Sequence, residues 1–457
     1  MSSSGWTVDT LPARISDATT SHTFGQHRIR YLRTDAVIRL VSFADINSAI
    51  DRDNRLSNSS SLKRYLADDE KKPLMNRIKS QARRLFLMCI SEGLSMDYLH
   101  GLLQVGVTDA VVQPSSFADT TERETFEKYR WIFEQPMKLD NYSFGTSIPN
   151  HSPVPINFDP LEAGTYIAVG SSATIYRAQF DKRYCDIPNL EKNETDHILT
   201  EFCAIKVFND SPEALACAER EMAFAAWLAS CSQLRDDPHI TKTFLGFSYR
   251  NRRYLISELG AMPLYYLLQD EKAAAHDMVW LRTQIIGLTR ALAYIHGPTK
   301  GRTASHNDIQ PYDILVFPNE GNSLKLTDWG RADFEDTSNS QHASSELTDA
   351  SSRELNKPSD DGVYLGYVFV ELLVWFYDGP ERLQKTLVGD WSIVDPRNLK
   401  SHFLEPWAQK VLDQLRGRGT NMPAVMDVIA SMINGKPMDR MNASEALRSF
   451  EDIPDSW

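Results

Sequence analysis

The residues of this 457-residue chain whose types could do chemistry fall in a fixed order. A turn of small residues, Gly170-Ser171-Ser172-Ala173, joins two strand-like segments, Tyr166 to Val169 and Thr174 to Ala178. Backbone N–H groups in such a turn can cradle a phosphate. Lys206 stands in the otherwise apolar run Phe202-Cys203-Ala204-Ile205-Lys206-Val207-Phe208. A helix with Glu219 and Glu221 follows, a long helical stretch leads to His306-Asn307-Asp308, and Asp328-Trp329-Gly330 comes twenty residues after Asp308. Each piece alone has a plainer reading. The turn is a simple hairpin, Lys206 an edge-strand lysine that discourages aggregation, Asp308 a cap, and Asp328 the turn after a strand. Their order and spacing together argue for one site.

The elements that must position these residues are legible from periodicity. Pro212-Glu213 opens a helix through Ala229, with proline in its first turn. Two strand-like runs, Thr243 to Tyr249 and Arg253 to Glu258, lead to Gly260 and Pro263. From His276 the pattern is helical, and Met278, Leu281, Ile285, Leu288, Leu292 and Ile295 step by three and four onto one buried stripe. Strands dominate one half and helices the other, which predicts an α+β domain. Ahead of it, residues 1–35 read as a polar, flexible arm and residues 36–158 as mainly helical. Leu74, Ile78, Leu85 and Cys89 recur there at helical spacing with Arg83 and Arg84 outside the stripe, as do Phe126, Tyr129, Trp131 and Ile132 further on. Pro149, Pro153, Pro155 and Pro160 mark a connector over 137–160. This region carries no recognisable chemistry and is expected to pack as a helical module on the rest.

The order of the motifs resembles the protein kinase superfamily of serine/threonine type over about 160–452. Ala168 to Ile175 matches the glycine-rich loop, with Gly170 kept and alanines at the other two glycine positions. Ala204-Ile205-Lys206 matches the strand lysine that holds the α- and β-phosphates, with Glu221 its best helix partner and Glu219 the alternative. Ser257-Glu258-Leu259-Gly260 resembles the hinge beside the adenine. His306 to Leu315 matches the catalytic loop, and Leu324 to Gly330 the metal-binding segment. Asp361 to Leu373 resembles the buried central helix of the C-lobe, and Arg440 would bind Glu354. The N-terminal region is similar to those preceding the kinase domain in divergent fungal kinase-like proteins.

The resemblance implies a bilobal fold, with an N-lobe over 159–260 and a C-lobe over 261–455. It implies that Ile167, Gly170, Ser171, Ser172, Ile175, Ala204, Lys206, Glu258, Gly260 and Leu315 bind ATP, that Asp328 and Asp313 hold Mg²⁺, and that Asp308, Lys206, Glu221 and Gln310 act in catalysis. Four positions depart from the family pattern. Besides the thin glycine loop, Asn307 replaces the arginine that grips a phosphorylated activation segment. Gln310 replaces a lysine aimed at the transferred phosphate, a contact whose loss typically costs on the order of a hundred-fold in rate. Asp313 replaces an asparagine whose amide donates towards the catalytic aspartate. Two like charges about 5 Å apart at an effective dielectric near 20 repel by roughly 3 kcal/mol.

The implied activity is slow ATP- and Mg²⁺-dependent transfer to a serine or threonine hydroxyl of a protein substrate. Two other readings stay open: a pseudokinase that serves as a binding scaffold, and a small-molecule phosphotransferase, which Asp328-Trp329 also fits. Composition narrows the remainder. The net charge of −12 argues against a general nucleic-acid binder. No run of about eighteen apolar residues spans a membrane, and the five scattered cysteines suit a reducing cytoplasmic or nuclear compartment.

Overall fold

Period-two burial builds the strand that carries Lys206. In Cys203–Phe208, the side chains of Cys203, Ile205 and Val207 are buried on one face, while Ala204 and Lys206 point to the other. The computed structural model describes residues 11–57, 68–110, 120–134, 136, 138–140, 142–150, 152–181, 184–186, 202–270, 276–298, 302–336, 358–390, 406–434 and 439–454, and the fold is α+β. The serine-rich run Thr337 to Ser352, Glu354, and most of 181–197 lie outside the described residues.

Residues 11–32, expected to be a loose arm, instead form a helix Leu11–Ala18 (α1) and an antiparallel hairpin of Thr19–Phe24 (β1) and His27–Leu32 (β2). Six helices follow: Thr34–Leu40 (α2), Phe43–Ser57 (α3), Asp68–Gln81 (α4), Arg83–Glu92 (α5), Met96–Gln104 (α6) and Thr120–Phe133 (α7). They share one apolar core that takes in Leu74, Ile78, Leu85, Cys89, Phe126 and Ile132. Arg84, which spacing puts outside the stripe, is buried instead. Its guanidinium donates to the carbonyls of Ile132 (2.8 Å) and Leu32 (3.2 Å), tying α5 to α7 and β2.

The proline-rich connector also holds strands: Leu139–Asp140 (β3), Ser143–Ile148 (β4) and Ile156–Asn157 (β5). Pro149, Pro153 and Pro155 lie between the strands and not within them, so no ladder hydrogen bond is lost. Then come Tyr166–Val169 (β6), Ala173–Phe180 (β7), Cys185–Asp186 (β8), Cys203–Phe208 (β9), helices Pro212–Ser230 (α8) and Ser232–Arg235 (α9), and strands Thr243–Tyr249 (β10) and Arg252–Glu258 (β11). A seven-stranded sheet results in the order β4-β10-β11-β9-β7-β5, with β6 paired to β7. The N-terminal segment thus supplies both edges of the sheet that carries Lys206, and β4 runs parallel to β10.

The β1–β2 hairpin covers one face of this sheet. Phe24 is fully buried, with its ring 4.9 Å from Phe158, 5.0 Å from Tyr254 and 5.5 Å from Tyr249. The backbones of Thr23 and Gly25 bond to Phe158, and the Tyr31 hydroxyl donates to Asp181 at 2.8 Å. Helix α8 covers the other face through Ala218 and Met222. A Cβ on Gly246 of β10 would stand 3.1 Å from both Met222 and Leu255, so the glycine lets α8 lie close.

The helical half begins with Met262–Pro263 (β12), Leu264–Leu267 (α10) and Met278–His296 (α11). Leu281, Ile285, Leu288, Leu292 and Ile295 of α11 are all fully buried, as their spacing predicts. Short strands Arg302–Ser305 (β13), Ile314–Phe317 (β14), Ser323–Leu326 (β15) and Asp333–Asp336 (β16) lie between α11 and Pro358–Asp390 (α12), a run broken at Gly379 (φ 79) and Pro380. Helices Pro406–Leu415 (α13), Met422–Met432 (α14) and Ala443–Asp452 (α15) close the core, the last started by a capping box of Asn442 and Glu445.

If the hairpin holds the sheet, Phe24→Ala should destabilise the protein by about 3–5 kcal/mol. Urea denaturation reads this directly, and an unchanged midpoint would show that the hairpin only rests on the sheet.

Candidate functional site

Helix α8 is aimed by its first turn: the Ser211 hydroxyl accepts from Ala214 N–H, and Pro212 stands at the start. Three turns on, Glu221 points under the sheet. Its Oε2 lies 2.7 Å from Lys206 Nζ, and Asp328 Oδ1 lies 2.8 Å from the same nitrogen. Glu219, the alternative partner, is instead among the residues lining a surface groove with Met222, Phe144 and Arg253. Burial would lower the Lys206 ammonium, but Glu221 and then Asp328 outweigh it and hold it well above the ordinary lysine range. Burial also pushes Glu221 up, against the pull of Lys206. At 2.7 Å the pair stays charged, because a neutral lysine would strand two carboxylates.

Asp328 adopts a left-handed backbone (φ 61, ψ 74) that swings its carboxylate towards Lys206. Burial raises its carboxyl and Lys206 lowers it by more. About half of the side chain (48%) opens to solvent, so water partly screens both effects. The turn that follows is fixed to α8. The Arg220 guanidinium donates to Gly330 O at 3.0 Å, and a Cβ on Gly330 would stand 2.4 Å from Cys217 Sγ, so the position admits only glycine unless Cys217 moves. Trp329 stacks on Phe224 at 4.4 Å, and Phe334 stacks on the same ring at 5.4 Å.

The catalytic-loop match is held from below. Asp361, fully buried at the start of α12, accepts from the backbone N–H of His306 (2.7 Å) and Asn307 (2.7 Å), and contacts His296 Nε2 at 2.9 Å. Burial raises this carboxyl, and the His296 hydrogen bond and charge outweigh it, so it lies below the ordinary range. His306 Nε2 meets Thr327 O at 2.8 Å, which joins the loop to the strand before Asp328. Asn307 takes a left-handed φ of 65, a conformation asparagine tolerates, and its amide donates to Arg331 O at 3.1 Å. Asp308 therefore faces Arg331, whose Nη1 lies 3.2 Å from Oδ1.

Asp313 and Gln310 interact. Burial and then the charge of Asp328 push the Asp313 carboxyl up to about 8, and the Gln310 side chain opposes this by hydrogen bonding to it. Asp313 is 7% exposed, and its Oδ2 is buried without a hydrogen-bond partner. Such an orphan is costly unless something absent from the polypeptide meets it. Among the described residues no group of three or more His, Cys, Asp and Glu is arranged to hold a metal by itself. A pair of carboxylates whose remaining ligands are phosphate oxygens and water is the ordinary magnesium arrangement, and Asp313 with Asp328 fits it.

The residues expected around an adenine fall along the sheet and its exit. Ile175 is paired with Lys206, and Ala204 with Ser257. Strand β14 brings Leu315 against Gly260, where an added Cβ would stand 2.9 Å from Leu315 Cβ. Ile167 is 41% exposed on β6. Glu258 has another task. Its carboxylate is held by Lys325 Nζ at 3.0 Å and accepts from Lys242 N–H at 2.7 Å, while its own N–H donates to Lys242 O. Only its carbonyl remains for a base. Gly170 donates its N–H to Ala173 O at 2.8 Å and has an ordinary φ, with room for a Cβ, so the loop closes on itself as a hairpin turn. Asn209 bonds both Ser171 O and Ser172 O, and Cys217 Sγ contacts the Ser172 hydroxyl at 3.7 Å. Nothing in the sequence marks Arg331, Arg220 or Lys242 beyond their charge.

Compared with known proteins, the chain matches no family model and no curated protein significantly.

Asp361→Asn keeps the shape but turns an N–H₂ towards N–H donors. It should cost about 3 kcal/mol and raise amide hydrogen exchange at residues 306–307. Unchanged exchange there would mean that the loop does not depend on Asp361.

Proposed function

We propose that this chain is an ATP- and magnesium-dependent protein kinase that phosphorylates serine or threonine. The observation that carries the reading is the convergence of Lys206 with Glu221 and Asp328, beside Asp308 and the orphaned Asp313. The α+β fold is read here as two lobes, the sheet with α8 over 159–260 and the helical half over 261–455. Of the other classes, a binding scaffold has no need of a lysine pinned by two acids.

The roles follow from the geometry. Lys206 holds phosphate oxygens as a fixed point charge, aimed by Glu221. Asp313 and Asp328 are the residues that would hold magnesium. Bound there, the ion would supply positive charge that offsets that of the phosphates. Asp308 accepts the proton of the attacking hydroxyl. Gln310 fixes the turn that carries Asp313, its backbone carbonyl accepting the Asp313 N–H at 2.8 Å. No helix among the described residues is long and apolar enough to cross a membrane. Buried free thiols at Cys89, Cys203 and Cys231 suit the reducing interior of a cell.

A thermal-shift titration with ATP, with and without magnesium, tests the reading. Saturation at about one hundred times Kd stabilises by about 2.7 kcal/mol, and this shift should require magnesium. It should vanish in Lys206→Met and Asp328→Asn, each compared with its own ligand-free midpoint. No shift in the wild type would overturn the kinase reading in favour of a scaffold.

A further inference from the structure

Gln310 is neutral, and its backbone carbonyl accepts the Asp313 N–H at 2.8 Å. The site nevertheless gathers four carboxylates, Glu221, Asp308, Asp313 and Asp328. Among the described residues the cations paired with them are two, Lys206 and Arg331. Lys206 is held by two acids, at 2.7 and 2.8 Å. Arg331 is placed differently. Its backbone is fixed, because Arg331 O accepts from Asn307 and the preceding Gly330 O accepts from Arg220. Its side chain is 52% exposed and touches Asp308 at 3.2 Å. That contact is longer than the about 2.7–2.9 Å of a tight charge-assisted bond. A guanidinium so held keeps further N–H donors for a second oxyanion, in the fork geometry that suits phosphate.

We infer that Arg331 supplies the positive charge at the transferred phosphate that Gln310 lacks, an inference that rests on the kinase reading. In the step, the acceptor hydroxyl oxygen forms a bond to the γ-phosphorus and its proton passes to Asp308. The bond from that phosphorus to the β-bridging oxygen breaks, and the electron pair leaves with ADP. The attacking oxygen sits at Asp308, so the phosphorus it approaches comes within reach of the guanidinium that already touches Asp308. Asn307 then has a role that its amide can fill and a longer side chain could not. It pins the Arg331 backbone beside Asp308.

The test uses the full chain. Affinities for Mg·ADP and for a non-hydrolysable Mg·ATP analogue are measured beside the rate of γ-phosphate transfer to protein or water. The proteins are wild type, Arg331→Met, Arg331→Lys, and Arg331→Met combined with Gln310→Lys. Arg331→Met should slow transfer about a hundred-fold and weaken the ATP analogue several-fold while leaving ADP unchanged. Arg331→Lys should keep part of the activity, and Gln310→Lys should return activity to the Arg331→Met protein. Equal losses for ADP and the ATP analogue would reduce Arg331 to a structural role and overturn the inference. Faster transfer in Arg331→Met would make the arginine a latch on Asp308, and an unchanged rate would leave it no part in the reaction. Either result sinks the inference alone, with the kinase reading standing. If the wild type binds neither nucleotide, both fall. If it binds but transfers nothing, the contrast between ATP analogue and ADP decides.

Discussion

One ammonium group between two carboxylates organises this molecule. Lys206 Nζ bonds Glu221 from α8 and Asp328 from the segment after β15, so a single atom joins the sheet, the helix beneath it and the helical half. Removing either acid would leave the buried lysine short of a partner, which is far more costly than never having built the pair. The three elements are thus bound to one relative placement. Lys325 does the comparable job nearby. Only 1% exposed, it holds Glu258 at the sheet's exit and Glu320 beside β15.

Placement of α8 also depends on packing. Phe224 stacks on both Trp329 and Phe334, and Trp227 meets Phe334 edge-on at 5.6 Å. Aromatic pairs of this sort are worth roughly 0.5–1.5 kcal/mol each beyond their buried area. Strand β16, which contains Phe334, is paired along its length with β13 just before the His306 loop. The segment after Asp328 is therefore ordered by a strand pairing, a ring stack and the Asn307 amide. None of these three needs a phosphate group, and together they hold residues 329–336.

Much of this was legible in the sequence, and the failures have physical causes. The α11 stripe and the alternation through Cys203 to Phe208 are periodic signals along one element, and both hold. The pairing of Lys206 with Glu221 rather than Glu219 was favoured by apolar spacing along α8, and the geometry agrees. The loose arm and the proline-rich connector were misread because their strands are polar and short. Thr19 to Phe24 pairs with its neighbour β2 but docks at Phe24 on Phe158, and Ser143 to Ile148 pairs with β10, distant partners that no local pattern announces. Arg84 was misplaced because its neighbours' spacing says nothing about carbonyls on α7 and β2. The sequence around Glu258 does not show that Lys325 and Lys242 hold its carboxylate.

The departures at 307, 310 and 313 look independent along the sequence and are coupled in space. Asp313 alone would bring a second buried carboxylate beside Asp328 with no donor of its own. Gln310 accepts the Asp313 N–H through its backbone carbonyl at 2.8 Å and brings no positive charge of its own. The charge thereby missing from the loop has its nearest counterpart in Arg331, whose carbonyl is held by the amide of Asn307. An arginine at 307 would put a second guanidinium beside Arg331, with like charges opposed at close range. Each substitution thus removes the reason for retaining the family residue at one of the others. A centre that had merely decayed would show losses without partners. Here Asn307 meets the Arg331 carbonyl and Gln310 the Asp313 N–H, contacts that support the phosphate site proposed above.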